Sequence, residues 1–184
     1  MSLYPTLIGY LQGGEVVGVS GATPMPVVLA DGVAPSAIDN LLWGSVAPTN
    51  AASSAPTHVD LAGNSDGETP TIVNAKDYKR FILTGWHPAP SGLPTAMTLN
   101  AALWARATDP SGAPLHTSGT AVWYKVGDFT LSTSLSAGYF RAVLETPDGK
   151  PLGFDAYRIT LNVSFVGGTN PSLGAVNAVL RGER

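Results

Sequence analysis

The clearest pattern in the chain is an alternation of apolar and polar side chains in its C-terminal part. Over residues 157–165 the apolar members are Tyr157, Ile159, Leu161, Val163 and Phe165, and the polar members between them are Arg158, Thr160, Asn162 and Ser164. A side-chain period of two over nine residues predicts a strand that is buried on one face. The same alternation over 97–105 and 129–135 predicts two more strands. Strands of an all-parallel sheet read as continuous apolar runs, so the alternation favours antiparallel pairing.

Glycine and proline mark the turns between these strands. Residues 109–112 and 146–149 both combine a proline, which presets the turn dihedral, with a glycine that accepts positive φ. The Gly-Asp pair at 127–128 predicts a further tight link between two strands, and residues 138–145 predict another strand. Strands at this spacing predict an all-β fold: an antiparallel β-sandwich or jelly-roll-like domain over residues 71–184.

The first seventy residues follow a different pattern. Short apolar pieces separated by glycine and proline come first, at 7–10, 15–19 and 26–30. The stretch 36–43 predicts a short helix that begins at an N-cap serine and stops at a glycine. Residues 45–70 are small, polar and punctuated by proline, which is typical of a linker or of an extended crossing segment. We therefore predict that residues 1–70 form an extended N-terminal arm, a small β region followed by a linker.

Apolar pieces this short cannot build a core of their own, so we expect the arm to bury its side chains against neighbouring subunits. A second contact surface is predicted in the loop 85–92, where proline and glycine bracket a Trp-His pair. The alternative interpretation is that the aromatic side chain pins the loop to its own domain. The side chains predicted to make these contacts are Leu7, Ile8, Tyr10, Val27, Val28, Leu29, Leu42, Trp43, Trp86 and His87.

Charge and composition narrow the possible partners. Only 12% of the residues are charged, and the ten basic ones are scattered, whereas nucleic-acid binders carry a basic stripe. We therefore expect no direct nucleic-acid partner. The absence of an apolar run near the ~18 residues of a transmembrane helix predicts no membrane partner. The chain has no cysteine and shows no secretion-signal pattern, so we expect it to fold in a reducing cytoplasm without disulfides.

The sequence contains no recognisable catalytic or cofactor motif. The three histidines, His58, His87 and His116, are widely separated and form no metal-ligand pair, so no metal site is predicted. The acidic stretch 60–68 resembles a calcium loop, but the register would place an alanine at the first ligand position. No serine nucleophile elbow, phosphate-binding loop or dinucleotide fingerprint occurs. We predict no catalytic residue and no cofactor.

The aromatic residues allow two interpretations, which are a sugar-stacking platform and packing in a core or interface. The candidates are Trp43, Trp86, Trp104, Trp123, Tyr124 and Tyr139. Trp104 lies on the strand face opposite the apolar stripe of 97–105. It therefore points either into a second packed layer or towards solvent.

A short phrase near the N-terminus resembles a family of proteins. Residues 24–32 read Pro-Met-Pro-Val-Val-Leu-Ala-Asp-Gly, and Ala-Pro-Ser-Ala follows at 34–37. This phrase resembles the N-terminal segments of tailed-bacteriophage virion proteins, in particular capsid decoration (cement) proteins and related head or tail accessory proteins. The resemblance covers roughly a dozen residues and carries no catalytic residue with it.

The resemblance implies a non-enzymatic virion structural protein that stabilises the phage head through subunit contacts. Its partners would be the major capsid protein or neighbouring virion subunits, and self-association would make it a homo-oligomer. It would be located in the virion after assembly in the host cytoplasm. Two alternatives remain open. A carbohydrate-binding β-sandwich or tail-fibre accessory protein for host attachment would need exposed tryptophans in a row, and an enzyme would need carboxylates or a His–carboxylate pair that converge in a pocket.

Overall fold

The computed structural model describes residues 9–12, 15–18, 38–111, 113, 115, 123–146 and 148–184. The chain divides into two compact units, Met1–Pro35 and Ser36–Arg184. In the first unit, β1 (Gly9–Gln12) and β2 (Glu15–Gly18) pair antiparallel. These strands fall within or beside the apolar pieces predicted at 7–10 and 15–19, whereas the piece at 26–30 lies outside the described residues.

The second unit contains two sheets. Its described strands are β3 (Ile38–Val46), β4 (Thr49–Asn50), β5 (Ile72–Val73), β6 (Arg80–His87), β7 (Ala96–Arg106), β8 (Tyr124–Ser132), β9 (Gly138–Glu145), β10 (Ala156–Val166) and β11 (Val176–Glu183). The four-stranded sheet has the order β3-β11-β6-β9 and is antiparallel throughout. The five-stranded sheet has the order β4-β10-β7-β8, and β5 also pairs with β10. The part of the chain that the structure describes contains no helix, so the all-β class is confirmed. The finer name, β-sandwich or jelly roll, stays a prediction.

Side chains from both sheets form one hydrophobic core. The five-stranded sheet contributes Leu99, Leu103, Phe129, Ile159 and Leu161, and the four-stranded sheet contributes Phe81, Leu83, Phe140, Val176 and Leu180. Each fully buried side chain of this size stabilises the fold by about 1.5–3 kcal/mol. The centre of the five-stranded sheet is the long antiparallel pair of β7 and β10, which extends the strands predicted at 97–105 and 157–165 by one residue at each end.

The helix predicted over 36–43 is wrong. Ile38–Val46 is instead β3, the strand that pairs with β11 at one side of the four-stranded sheet. Gly44 does not stop a helix. It lies inside the strand, where the residue has to be glycine because a Cβ would clash with the carbonyl oxygen of Leu61. Pairing with β11 and this close backbone approach outweigh a weak local helix preference.

Part of the stretch 45–70 is an extended segment, the second of the two interpretations, and not a linker between units, since the two compact units divide after residue 35. The segment 51–71 runs along the side of β10 that β7 leaves unpaired. The backbone N–H of Ala51 donates to Val163 (2.8 Å), and that of Leu61 donates to Ile159 (2.9 Å). The segment also covers the polar stripe of β10. Arg158, Thr160 and Asn162 are buried, so β10 is covered on both faces and not on one.

The predicted turns differ in outcome. The strand expected at 138–145 is confirmed as β9, and the turn after it is closed by a hydrogen bond from Gly149 N–H to the carbonyl of Thr146 (3.0 Å). The link predicted at 127–128 is wrong, because β8 passes through it without a break. Gly127 is needed there for close packing, since a Cβ would press on the side chain of Leu144.

In the described residues we find no helix with the length and apolar character needed to cross a membrane.

Candidate functional site

The outer face of the four-stranded sheet carries a cleft lined by aromatic side chains, which we call the aromatic cleft. Its lining includes Trp43, Thr84, Trp86, Tyr139, Asn177 and Val179, and its volume is about 330 Å³. Two of the predicted contact residues, Trp43 and Trp86, therefore meet on one surface although 43 positions separate them in the sequence. Tyr139 lies on the same face and comes from β9, at the edge of the sheet opposite β3.

Strand register creates this cleft. Asn177 on β11 lies opposite Trp86 on β6, and Trp86 lies opposite Tyr139 on β9. In the neighbouring row, Val179 on β11 lies opposite Trp43 on β3. Residues two apart on a strand share a face and are separated by about 7 Å, so the two rows are adjacent. The aromatic rings consequently surround the Asn177–Val179 stretch of β11.

The cleft exposes an unusual amount of aromatic surface. Trp43 is 66% exposed and Tyr139 is 90% exposed, while Trp86 is half-buried between them. Single exposed aromatic side chains are common, but three around one cleft form a contiguous apolar patch of the kind that marks interaction sites.

The polar groups beside the cleft are cationic or neutral. Arg181 donates from Nη1 to the hydroxyl of Thr84 (2.7 Å) and from Nε to Oδ1 of Asn40 (2.9 Å). Arg141, which is on β9, lies opposite Thr84 on β6 and is exposed. The described lining residues of the aromatic cleft include no carboxylate. This part of the sheet face therefore favours a neutral or anionic ligand.

The structure places His87 inside the protein, so its predicted exposure is wrong. The side chain is 1% exposed, with Nδ1 2.9 Å from the carbonyl oxygen of Pro88 and Nε2 2.8 Å from the hydroxyl of Ser132. A carbonyl can only accept, so Nδ1 carries a proton and donates to Pro88, and the second ring nitrogen shares a hydrogen bond with the Ser132 hydroxyl. This contact ties the end of β6 to the end of β8.

Among the remaining predicted contact residues, Leu42 is the one whose side chain the structure describes. Leu42 is partly buried against the core. Tyr10 lies in β1, opposite Val17, and its side chain is outside the description. The predicted contact residues that lie outside the described part of the chain are Leu7, Ile8, Val27, Val28 and Leu29.

The other aromatic candidates pack internally or against one another. Trp104 and Trp123 form a second small core with Ala102. The indole N–H of Trp104 donates to the hydroxyl of Thr160 (3.0 Å), and Tyr124 stacks on Phe154. The packed-layer interpretation of Trp104 is therefore confirmed.

A second exposed apolar feature lies in the pair of loops 88–95 and 167–173, which we call the loop pair. Leu93 is 91% exposed and adopts φ +53°, in the left-handed region. The loops are joined by backbone hydrogen bonds from Ser91 to Ser172 (2.9 Å) and from Thr169 to Gly92 (2.8 Å). Val166, where β10 enters the second loop, is also exposed. No local signal in the sequence indicated Leu93 as a contact residue.

A buried polar cluster surrounds Arg158 on β10. Its guanidinium donates to the carbonyls of Pro56 (2.9 Å), Asn64 (2.8 Å) and Thr69 (2.6 Å) and lies 3.4 Å from the carboxylate of Asp60. All of these partners belong to the segment 51–71, so the cluster fixes that segment on the sheet.

The nearby turn is held by Asp66. Its carboxylate accepts hydrogen bonds from the Thr69 hydroxyl and from the backbone N–H groups of Thr69 and Glu68. These bonds, led by the one from the hydroxyl, lower the pKa of Asp66 to about 2. The carboxylate is committed to the turn and is therefore a structural group.

Among the described residues, no three His, Asp or Glu side chains are grouped so that they could hold a metal ion. Comparison with known proteins yields no matching family model, no matching curated protein and no matching solved structure.

Proposed function

We propose that this protein is a non-enzymatic virion structural protein, a capsid decoration (cement) protein that stabilises a phage head after assembly in the host cytoplasm. Its partners are the major capsid protein or neighbouring virion subunits, and copies of the chain associate with one another. The observation that carries the proposal is the loop pair, which presents Leu93 to solvent on a rigid support.

The conformation of Leu93 favours a contact role. A left-handed backbone costs a non-glycine residue about 1–2 kcal/mol, and exposing a leucine gains nothing in return for the isolated protein. Backbone hydrogen bonds between the two loops hold Leu93 in this position. A rigid apolar group loses little conformational freedom on binding, so most of its burial energy contributes to affinity.

Assembly makes such a modest contact sufficient. Burial of one leucine and one valine contributes a few kcal/mol per copy, and a symmetric shell repeats that contribution at every equivalent position. The unit Met1–Pro35, which contains the phrase that resembles virion proteins, supplies a further contact region under this proposal.

A co-assembly experiment tests the proposal. Heads assembled from the cognate major capsid protein are incubated with wild-type protein, with Leu93→Ser, or with Leu115→Ser, and bound copies are counted after sedimentation. Leu115 is also an exposed leucine but lies outside the loop pair, so it is the matched control. Loss of a contact worth about 2 kcal/mol lowers affinity roughly 30-fold.

We expect Leu93→Ser to weaken head binding at least tenfold and Leu115→Ser to bind as the wild type does. Wild-type protein that does not bind heads, or equal binding by both variants, would contradict the proposal.

A further inference from the structure

We infer that the aromatic cleft is a binding site for an oligosaccharide that carries an acidic sugar. This function goes beyond the proposed structural role and uses a surface different from the loop pair. It rests on the grouping of Trp43, Trp86 and Tyr139, on the polar groups beside them and on the sign of the nearby charge.

The shape and lining of the cleft suit a sugar. One face of a pyranose ring presents C–H groups that pack on an aromatic ring, whose face carries negative charge density. Ligand sites combine such apolar walls with a few polar groups and usually have volumes of about 300–1,000 Å³. The aromatic cleft, at about 330 Å³, lies in that range and places the amide of Asn177 among its rings.

The available area argues against a second copy of the chain as the occupant. An aromatic side chain buries about 150–250 Å² when fully covered, and Trp86 is already half-buried. Three such side chains therefore supply less than the ~800 Å² per partner that a stable protein interface needs. A small ligand makes better use of this area.

The charge beside the cleft selects an acidic sugar. Arg141 and Arg181 lie on the same sheet face, and within the described residues neither guanidinium forms an ion pair. The nearest row with carboxylates on this face is that of Glu183 and Glu145, where Arg80 pairs with both. A ligand carboxylate near Arg141 would thus meet uncompensated positive charge.

Nucleobases also stack on aromatic rings, so a nucleic acid is the competing occupant. Such a ligand needs a basic groove that follows its phosphates, and two arginines beside one cleft do not form one.

Binding to an array of neutral and acidic oligosaccharides tests the inference, with a ten-nucleotide oligothymidine as the competing probe. The full-length wild type is compared with Trp43→Ala, Tyr139→Ala, Arg141→Gln and the control Tyr124→Ala, an exposed tyrosine outside the cleft. Affinities for the best arrayed sugar are then measured by titration calorimetry, and circular dichroism verifies that each variant is folded.

We expect saturable binding that prefers acidic sugars, a tenfold or greater loss in Trp43→Ala and in Tyr139→Ala, and no change in Tyr124→Ala. Arg141→Gln is expected to weaken binding of acidic sugars at least fivefold and to leave neutral ones unchanged. The inference is overturned if no arrayed sugar binds, if only neutral sugars bind, or if the oligothymidine binds more tightly than every sugar.

The two proposals fail independently. Leu93→Ser is expected to keep wild-type sugar affinity, and Trp43→Ala is expected to keep wild-type head binding. A result in which one variant abolishes both activities would contradict the assignment of two separate surfaces.

Discussion

The phenol of Tyr157 in β10 has a pKa that is set mainly by its burial. Its side chain lies in the main core and contacts the ring of Phe81, with 5.0 Å between ring centroids. Burial raises the pKa of Tyr157 to about 12 because the interior disfavours the phenolate. The aromatic ring therefore stabilises the core only as long as the phenol keeps its proton.

This raised pKa predicts an alkaline loss of stability. The unfolded phenol ionises near pH 10, so the stabilisation is fully present below that pH and is lost as pH rises through about 12. The loss should amount to about 2–3 kcal/mol in the free energy of unfolding. Urea unfolding between pH 8 and pH 12 should show a flatter pH dependence in Tyr157→Phe than in the wild type. Tyr139→Phe, which alters an exposed phenol, should keep the wild-type slope.

At the scale of elements, the segment 51–71 is held in place by polar contacts as much as by apolar ones. Leu61 inserts into the main core, while the guanidinium of Arg158 donates hydrogen bonds to carbonyls at three points along the segment. Irregular backbone that covers a sheet needs partners for its buried carbonyls, and one planar guanidinium with five N–H donors supplies several at once.

Removal of this guanidinium should release the segment. Arg158→Met leaves the buried Asp60 carboxylate without its counterion, although Asn64 and Thr71 still donate to it. The carbonyls that the guanidinium served also lose that donor, and together these losses should lower the free energy of unfolding by about 3–5 kcal/mol. The control Arg141→Met changes an exposed arginine and should cost less than about 0.5 kcal/mol. Urea denaturation of both variants makes the comparison. Equal stability of the two would show that the buried cluster does not hold the segment.

On the scale of the whole molecule, the division at residue 35 separates two tasks under the proposed function. The unit Ser36–Arg184 contains the two sheets, the main core, the aromatic cleft and the loop pair. The unit Met1–Pro35 contains the antiparallel pair of β1 and β2.

A truncated protein that comprises residues 36–184 tests this division. Because the main core lies within those residues, its melting temperature should remain within about 2–4 °C of the full chain, the shift that 1 kcal/mol produces in a domain of roughly this size. Its binding to heads should fall. Differential scanning calorimetry and the sedimentation assay measure the two effects. A truncated chain that fails to fold would contradict the division.

The sequence by itself determined the fold class and the long strands. Alternation in β7, β8 and β10 is a local property, because each side chain points to the face opposite that of its neighbour whatever the strand pairs with. Local reasoning failed for residues 36–43, where capping residues predict a short helix. The strand Ile38–Val46 forms there instead, because pairing with β11 contributes more. Short segments carry weak local preferences, and tertiary contacts override them.

Only the tertiary structure decided which side chains meet. The polar stripe of β10 reads as solvent-facing, yet it is buried because a segment about one hundred residues earlier in the chain covers it. In the same way, Trp43 and Trp86 become neighbours through the register of β3, β11 and β6, which no local pattern specifies. Local sequence sets the face on which a side chain lies. The pairing of distant strands sets what lies beside it, because register is determined by the packing of the complete core.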